Sequence, residues 1–282
     1  MRLGQVRWNG AVTAAIFENS HARAIPDYNL YELICRAEQQ GVPLPELARR
    51  LATPQRLADP QPLIPLTPRE VWGAGCTYES SATFRDAEHG TREGFYAHAH
   101  RDERPELFFK GTGRICVGPG QDIGIRVDSR FTAPEPELAV VLGARGKVLG
   151  YTIGNDVSAW DIERENPLYL PQSKSYTGAC ALGPVIVTAD QLSDPYNLHM
   201  SCTVRRGDKV IFSGETTTAS LHRKIETLIE FLLRANPVPT ASILLTGTGI
   251  IVPHEAALAE GDVVTISVPA IGELSNPAAV VK

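Results

Sequence analysis

The chain has 282 residues, enough for one large domain or a main domain with a small appendage, and 43% hydrophobic with 21% charged residues excludes general disorder. Twenty-seven basic against 32 acidic residues give a net charge of −5 with no basic run, which argues against the basic face of a nucleic-acid binder. Apolar stretches are strand-sized, short of the roughly 20 residues of a membrane helix. Five scattered cysteines without a CxxC pair argue against a disulfide framework and a thiolate zinc site.

Met1-Arg2-Leu3-Gly4-Gln5-Val6-Arg7 reaches a second arginine before any apolar core, so no signal peptide is expected and the chain reads as cytoplasmic. Val6-Arg7-Trp8 and Ala11–Ile16 flank Asn9-Gly10, a pair suited to the positive φ angles of a tight hairpin turn. A helix follows with Leu30, Leu33, Ile34 and Ala37 on one face and Gly41 as its stop. Pro54, Pro60, Pro62, Pro65 and Pro68 then interrupt regular structure, and we place a boundary there. Residues 1–65 are expected to form a small N-terminal α+β domain and 66–282 the main domain.

Beyond residue 70 the pattern is mostly strands. Leu138–Leu142 turns through Gly143–Gly146 into Val148–Ile153, and further strands read at 185–187, 202–204, 210–212, 243–245 and 263–266. One helix carries Leu221, Ile225, Leu228, Ile229 and Leu232 on a face, with Ser220 as its cap and Pro237 as its end. The expected fold class is α+β, mainly β, with the short strands forming a roll, barrel or sandwich.

Glu135-Pro136-Glu137 is the strongest candidate for chemistry. Side chains two apart on an extended segment point the same way, and Pro136 favours that conformation for Glu135. A hairpin turning near 143–147 returns Asp156 beside them, and three hard carboxylates suit Mg²⁺ or Mn²⁺. The competing reading puts both glutamates on a solvated strand edge. His98-Ala99-His100 alternates, but lies in a charge-dense stretch that reads as a surface loop. Cys76 and Cys180 read as small buried residues. Lys174 in its turn-like stretch says little by itself. Thr246-Gly247-Thr248-Gly249 is a candidate anion loop of backbone N–H groups and hydroxyls, without the ending of a P-loop.

Several stretches in order resemble the fumarylacetoacetate hydrolase family: Glu135–Leu142, Gly150–Ala159, Gly183-Pro184, Leu245–Thr248 and Ile271–Pro277. The likeness runs from about Pro68 to the C-terminus. Within the family, Arg104–Lys110, Glu165–Lys174 and Gly249–Pro253 are more similar to its sugar-acid dehydratases than to its hydrolases. The resemblance implies a mixed β-roll catalytic domain and a homo-oligomer, either dimer or tetramer. It implies Mg²⁺ (or Mn²⁺) on Glu135, Glu137 and Asp156, Glu106 and Lys174 in the acid–base positions, and Thr248 and Gln172 with Lys174 at the substrate. The implied reaction dehydrates a 2-keto-3-deoxy pentonate, such as 2-dehydro-3-deoxy-D-arabinonate, to 2,5-dioxopentanoate in pentose degradation.

The family's hydrolases carry Tyr-x-x-His-x-x-Glu, whose His–Glu pair activates water. Here the run begins at Tyr78 with Ser81 and Phe84 in those two places, and neither makes a general base. Trp160 replaces a common arginine, and Gly249 stands where small residues or proline are usual. Three carboxylates, Mg²⁺ and a substrate carboxylate sum to −2, and Lys174 brings the site to −1. Another hydrolase or decarboxylase of 2-keto or β-dicarbonyl acids is the alternative, and a non-catalytic keto-acid binder a weaker one.

Overall fold

The computed structural model describes residues 1–79 and 99–282; Ser81, Phe84 and His98 lie outside the described residues. The chain opens as an antiparallel meander of β1 (Arg2–Trp8), β2 (Ala11–Glu18) and β3 (His21–Ile25). Asn9 and Gly10 both take positive φ, 48° and 81°, as the hairpin requires. Helix α1 (Leu30–Gln40) starts in a capping box between Asn29 and Glu32, buries Leu30, Leu33, Ile34 and Ala37, and stops at Gly41 with φ 64°. Helix α2 (Leu44–Leu51) packs beside it, and the proline-rich stretch holds only the short β4 (Leu57–Ala58).

Strands β5 (Val71–Gly75), β6 (Glu106–Gly111), β7 (Cys116–Val117), β8 (Ile123–Arg126) and β9 (Thr132–Ala133) precede a long hairpin, β10 (Pro136–Leu142) and β11 (Val148–Asp156). Then come β12 (Ser158–Ala159), α3 (Trp160–Glu165), α4 (Leu170–Lys174), β13 (Cys180–Thr188), β14 (His199–Arg206) and β15 (Lys209–Thr217). Helix α5 (Ile225–Leu233), β16 (Ser242–Leu245), β17 (Val263–Val268) and β18 (Gly272–Val281) complete the chain.

Among the described residues the large sheet runs β4-β3-β2-β1-β13-β11-β10-β16-β5-β6, with β7 on β13. A second sheet runs β15-β14-β17-β18-β8, and a small ribbon joins β9 to β12. Parallel pairs β16–β5 and β18–β8 make both large sheets mixed, and neither closes. The fold is mainly β, as expected. Leu138, Val140 and Leu142 pack with Met200, Val204, Val264 and Ile266 of the second sheet, while Ala139 and Val141 share a cluster with Leu33 and Ile34 of α1. Burial on both faces is why Leu138–Leu142 reads as an unbroken apolar run. No helix among the described residues is long and apolar enough to cross a membrane.

Two expectations need correction. Ser220 does not cap the last helix: Thr218–Ser220 is a 3₁₀ turn capped by Thr217, Leu221 is extended, and α5 begins only at Ile225. Its end comes at Leu233, ahead of Pro237. His100 is no surface-loop residue: it is buried, its Nδ1 lies 2.7 Å from the Cys76 carbonyl oxygen, and its ring stacks on His222 with centroids 4.3 Å apart.

Candidate functional site

The β10–β11 hairpin assembles the carboxylates. Pro136 pairs with Asn155, and the Asp156 amide donates to the Glu135 carbonyl at 2.9 Å, so the start of one strand meets the end of the next. One ligand oxygen from each of Glu135, Glu137 and Asp156 lies within 4.8 Å of the others. All three are at most 2% exposed, and β10 sits between β11 and β16, so the solvated-edge reading fails.

Donors from four directions hold this cluster. Lys174 Nζ donates to Glu135 Oε1 at 2.9 Å, Asp156 Oδ2 at 3.1 Å and Ser158 Oγ at 2.6 Å, which uses all three ammonium protons. Lys110, fully buried on β6, places its ammonium 2.5 Å from Asp156 Oδ1 and donates to the Val157 carbonyl at 3.0 Å. Trp160 Nε1 donates to Glu135 Oε1 at 2.6 Å, and its ring meets Phe131 edge-on. The indole therefore supplies a buried donor to the first carboxylate of the cluster.

The Gly247 amide donates to Glu137 Oε2 at 2.6 Å. Gly247 has φ 89°, and a Cβ there would lie 2.0 Å from Thr77 Oγ1, so both conformation and space demand glycine. The expected anion loop does bind an anion through backbone N–H, but that anion is the Glu137 carboxylate of the chain itself. The Thr246 hydroxyl donates to the Leu138 carbonyl, and Thr248 Oγ1 accepts from the Ile250 amide at 3.1 Å. Gly249 is needed because its Cβ would lie 2.6 Å from both the Tyr78 ring and Thr216 Oγ1.

Crowding sets the electrostatics. Burial first, then the charges of Asp156 and Glu135, push the Glu137 carboxyl well above the usual carboxylate range, against the pull of Lys174 and the Gly247 amide. Three carboxylates against two ammonium groups leave one net negative charge. Three buried hard oxygen donors with unbalanced negative charge fit Mg²⁺ or Mn²⁺, not a thiophilic metal. Lys110, absent from the expected charge count, brings the loaded site with a substrate carboxylate to neutrality.

The remaining expected residues are placed less uniformly. Glu106 opens β6 on the same face as Phe108 and Lys110, and its buried Oε2 has no hydrogen-bond partner among the described residues. The Phe108 ring lies 5.6 Å from Lys174 Nζ, so this face of β6 reaches the site at two points. Thr248 is buried near the Glu137 clasp. Gln172 departs from expectation: it is exposed, two residues from buried Lys174 on a helix, where positions i and i+2 do not share a face. Cys76 and Cys180 are buried, as expected; hydrogen bonding with Cys116, then burial, pushes the Cys180 thiol well above its usual range.

Sequence reasoning missed Lys110, the Trp160 donor and the Gly247 amide. Lys110 had a readable signal: it stands four residues after Glu106 in a strand, hence on the same face.

Residues 71–279 match the Fumarylacetoacetate (FAA) hydrolase C-terminal family. The chain belongs to this family. A family relative from Saccharolobus solfataricus named 2-dehydro-3-deoxy-D-arabinonate dehydratase is 47% identical over 216 residues, 76% of this chain and 72% of the relative. A Haloferax volcanii protein named probable 2-keto-3-deoxyxylonate dehydratase is 43% identical over 213 residues, 76% of this chain and 73% of the relative. A solved structure of 2-keto-3-deoxy-D-arabinonate dehydratase complexed with magnesium and 2,5-dioxopentanoate superposes with a TM-score of 0.85 at 36% identity, covering 100% of both chains.

Proposed function

We propose that this chain is a hydro-lyase that dehydrates a 2-keto-3-deoxy pentonate, 2-dehydro-3-deoxy-D-arabinonate or a close analogue, to 2,5-dioxopentanoate with Mg²⁺. The observation that carries the reading is the buried Glu135, Glu137 and Asp156 cluster clasped by two buried lysines, in a chain 47% identical to a dehydratase of that name. Mg²⁺ (or Mn²⁺) held by the three carboxylates would supply Lewis acidity toward the adjacent ketone and carboxylate of the substrate, which acidifies the C3 proton.

The chain's own residues divide the remaining work. Lys174 has its three protons engaged by Glu135, Asp156 and Ser158, so it has no lone pair with which to act as a base. It serves as cation and proton donor toward the departing C4 hydroxyl. Glu106, whose Oε2 has no hydrogen-bond partner among the described residues, is the base for the C3 proton. Thr248 turns its hydroxyl from the Ile250 backbone to the substrate carboxylate. Loss of water leaves a C3–C4 enone with a hydroxyl at C5, and tautomerisation gives the C5 aldehyde, with no redox cofactor. Ser81 and Phe84 in place of a water-activating His–Glu pair disfavour diketone hydrolysis.

In this reading residues 66–282 carry the chemistry, and residues 1–65 form the small N-terminal unit of a cytoplasmic homo-oligomer, dimer or tetramer. Half-exposed Phe109, edge-on to Trp72 on the outermost strand β6, supports association. A panel of 2-keto-3-deoxy acids and β-diketones, assayed for aldehyde through a coupled dehydrogenase, tests the proposal. Dehydration of a pentonate without diketone cleavage is expected; efficient diketone hydrolysis without dehydration reverses the assignment.

A further inference from the structure

We propose that Gly75 is a positioning residue for Glu106, an inference that rests on Glu106 acting as the base. Strands β5 and β6 are antiparallel, with Gly75 opposite Glu106 and Gly73 opposite Phe108. A Cβ on Gly75 would lie 2.1 Å from Glu106 Oε2, 2.3 Å from Cδ and 2.8 Å from Oε1. The carboxyl group therefore lies directly on the bare Cα of its neighbour. Gly75 is not among the glycines of positive φ, so its backbone conformation does not require glycine; what the missing Cβ leaves is the space that the Glu106 carboxyl group occupies. Gly73 repeats the arrangement, its Cβ position lying 2.3 Å from Phe108 Cζ.

Two glycines in a five-residue strand weaken it, since glycine loses more conformational freedom on folding than any other residue. What the bare face provides is a flat seat on which Glu106 and Phe108 lie side by side. Phe108 extends that seat to Lys174, and Lys110, next on the same face, extends it to Asp156. Glu106 is held at one end of this row with Oε2 buried and without a hydrogen-bond partner among the described residues.

Gly75→Ala must push the carboxyl group away by an ångström or more. Misplacement on that scale costs about 10²-fold in rate. The test compares wild type, Gly75→Ala, Glu106→Asp and the double variant as Mg²⁺-loaded enzymes, reading kcat, KM, calorimetric Mg²⁺ affinity and melting temperature. Gly75→Ala should lower kcat by about that factor with Mg²⁺ affinity unchanged. It should do little further harm in Glu106→Asp, whose carboxyl stops one methylene short of the added methyl. An equal fall in both backgrounds marks a general strand defect and overturns the proposal. If Gly75→Ala does not fold, Gly75→Ala/Glu106→Ala should regain a folded state with a cooperative melt, and a double variant that stays unfolded overturns it. Wild-type turnover in Glu106→Gln overturns the acid–base reading and this inference with it. An inactive Glu106→Gln beside a fully active Gly75→Ala overturns only the inference.

Discussion

Lys110→Met isolates the electrostatic half of the site. Lys110 is 0% exposed and its ammonium lies 2.5 Å from an Asp156 oxygen that is itself buried. At an effective dielectric near 20 the gross attraction is about 7 kcal/mol, part of which offsets the cost of burying both charges. Removing one partner of such a pair typically costs about 3–5 kcal/mol, because the other charge stays buried and uncompensated. At roughly 2 °C per kcal/mol for a chain of this size, the melting temperature should fall by about 6–10 °C in EDTA. Methionine keeps most of the volume, so this loss is chiefly electrostatic. The variant cluster holds two net negative charges where the wild type holds one, so a divalent cation relieves more repulsion. Mg²⁺ should therefore raise the melting temperature of Lys110→Met by more than it raises wild type. Thermal unfolding followed by circular dichroism, with EDTA and with saturating Mg²⁺, reads both effects. A variant that melts with wild type in EDTA, or gains less from Mg²⁺, refutes the idea that Lys110 balances the carboxylate cluster.

Three further outcomes follow from the same geometry. Trp160→Phe keeps the packing on Phe131 but removes the donor to Glu135, and should cost about 1.5–3 kcal/mol and weaken Mg²⁺ binding by calorimetry; wild-type stability and affinity would contradict this. Lys174→Met should lower kcat by about 10²–10⁴ and raise KM, since it removes a proton donor and a cation together, and a change confined to KM would leave it as an anchor only. Glu137, raised by burial and by its two carboxylate neighbours, lets the metal-free folded chain bind more protons than the unfolded chain between the two pKa values. Stability without metal should therefore fall as pH rises through that window, and the stabilisation by Mg²⁺, which must displace the proton, should grow. Melting curves with and without Mg²⁺ between about pH 5 and 8 check the sign, and a Mg²⁺ effect independent of pH would count against it.

The parts of this molecule readable in advance were those governed by local periodicity. The Asn9-Gly10 hairpin, the 3.6-residue face of α1 and the period-two alternation that aligns Glu135 with Glu137 all rest on neighbouring residues. The triad followed because a single hairpin joins its two halves. Lys110 escaped because its partner arrives through β5, β16 and β10, strands brought together only by tertiary pairing. The Gly247 amide escaped for a related reason: a Gly-Thr loop looks alike whether its anion is a ligand or the chain's own glutamate. Helix α5 started late because Thr217 caps a 3₁₀ turn first, a local competition that the spacing of leucines does not encode.

The most direct test of the account is one reaction followed by NMR in D₂O: Mg²⁺-loaded enzyme with 2-dehydro-3-deoxy-D-arabinonate, beside the same enzyme in EDTA. The account predicts 2,5-dioxopentanoate carrying deuterium from solvent in the loaded sample, and unchanged substrate in the chelated one. Full turnover in EDTA, or cleavage of a carbon–carbon bond in place of loss of water, would contradict it.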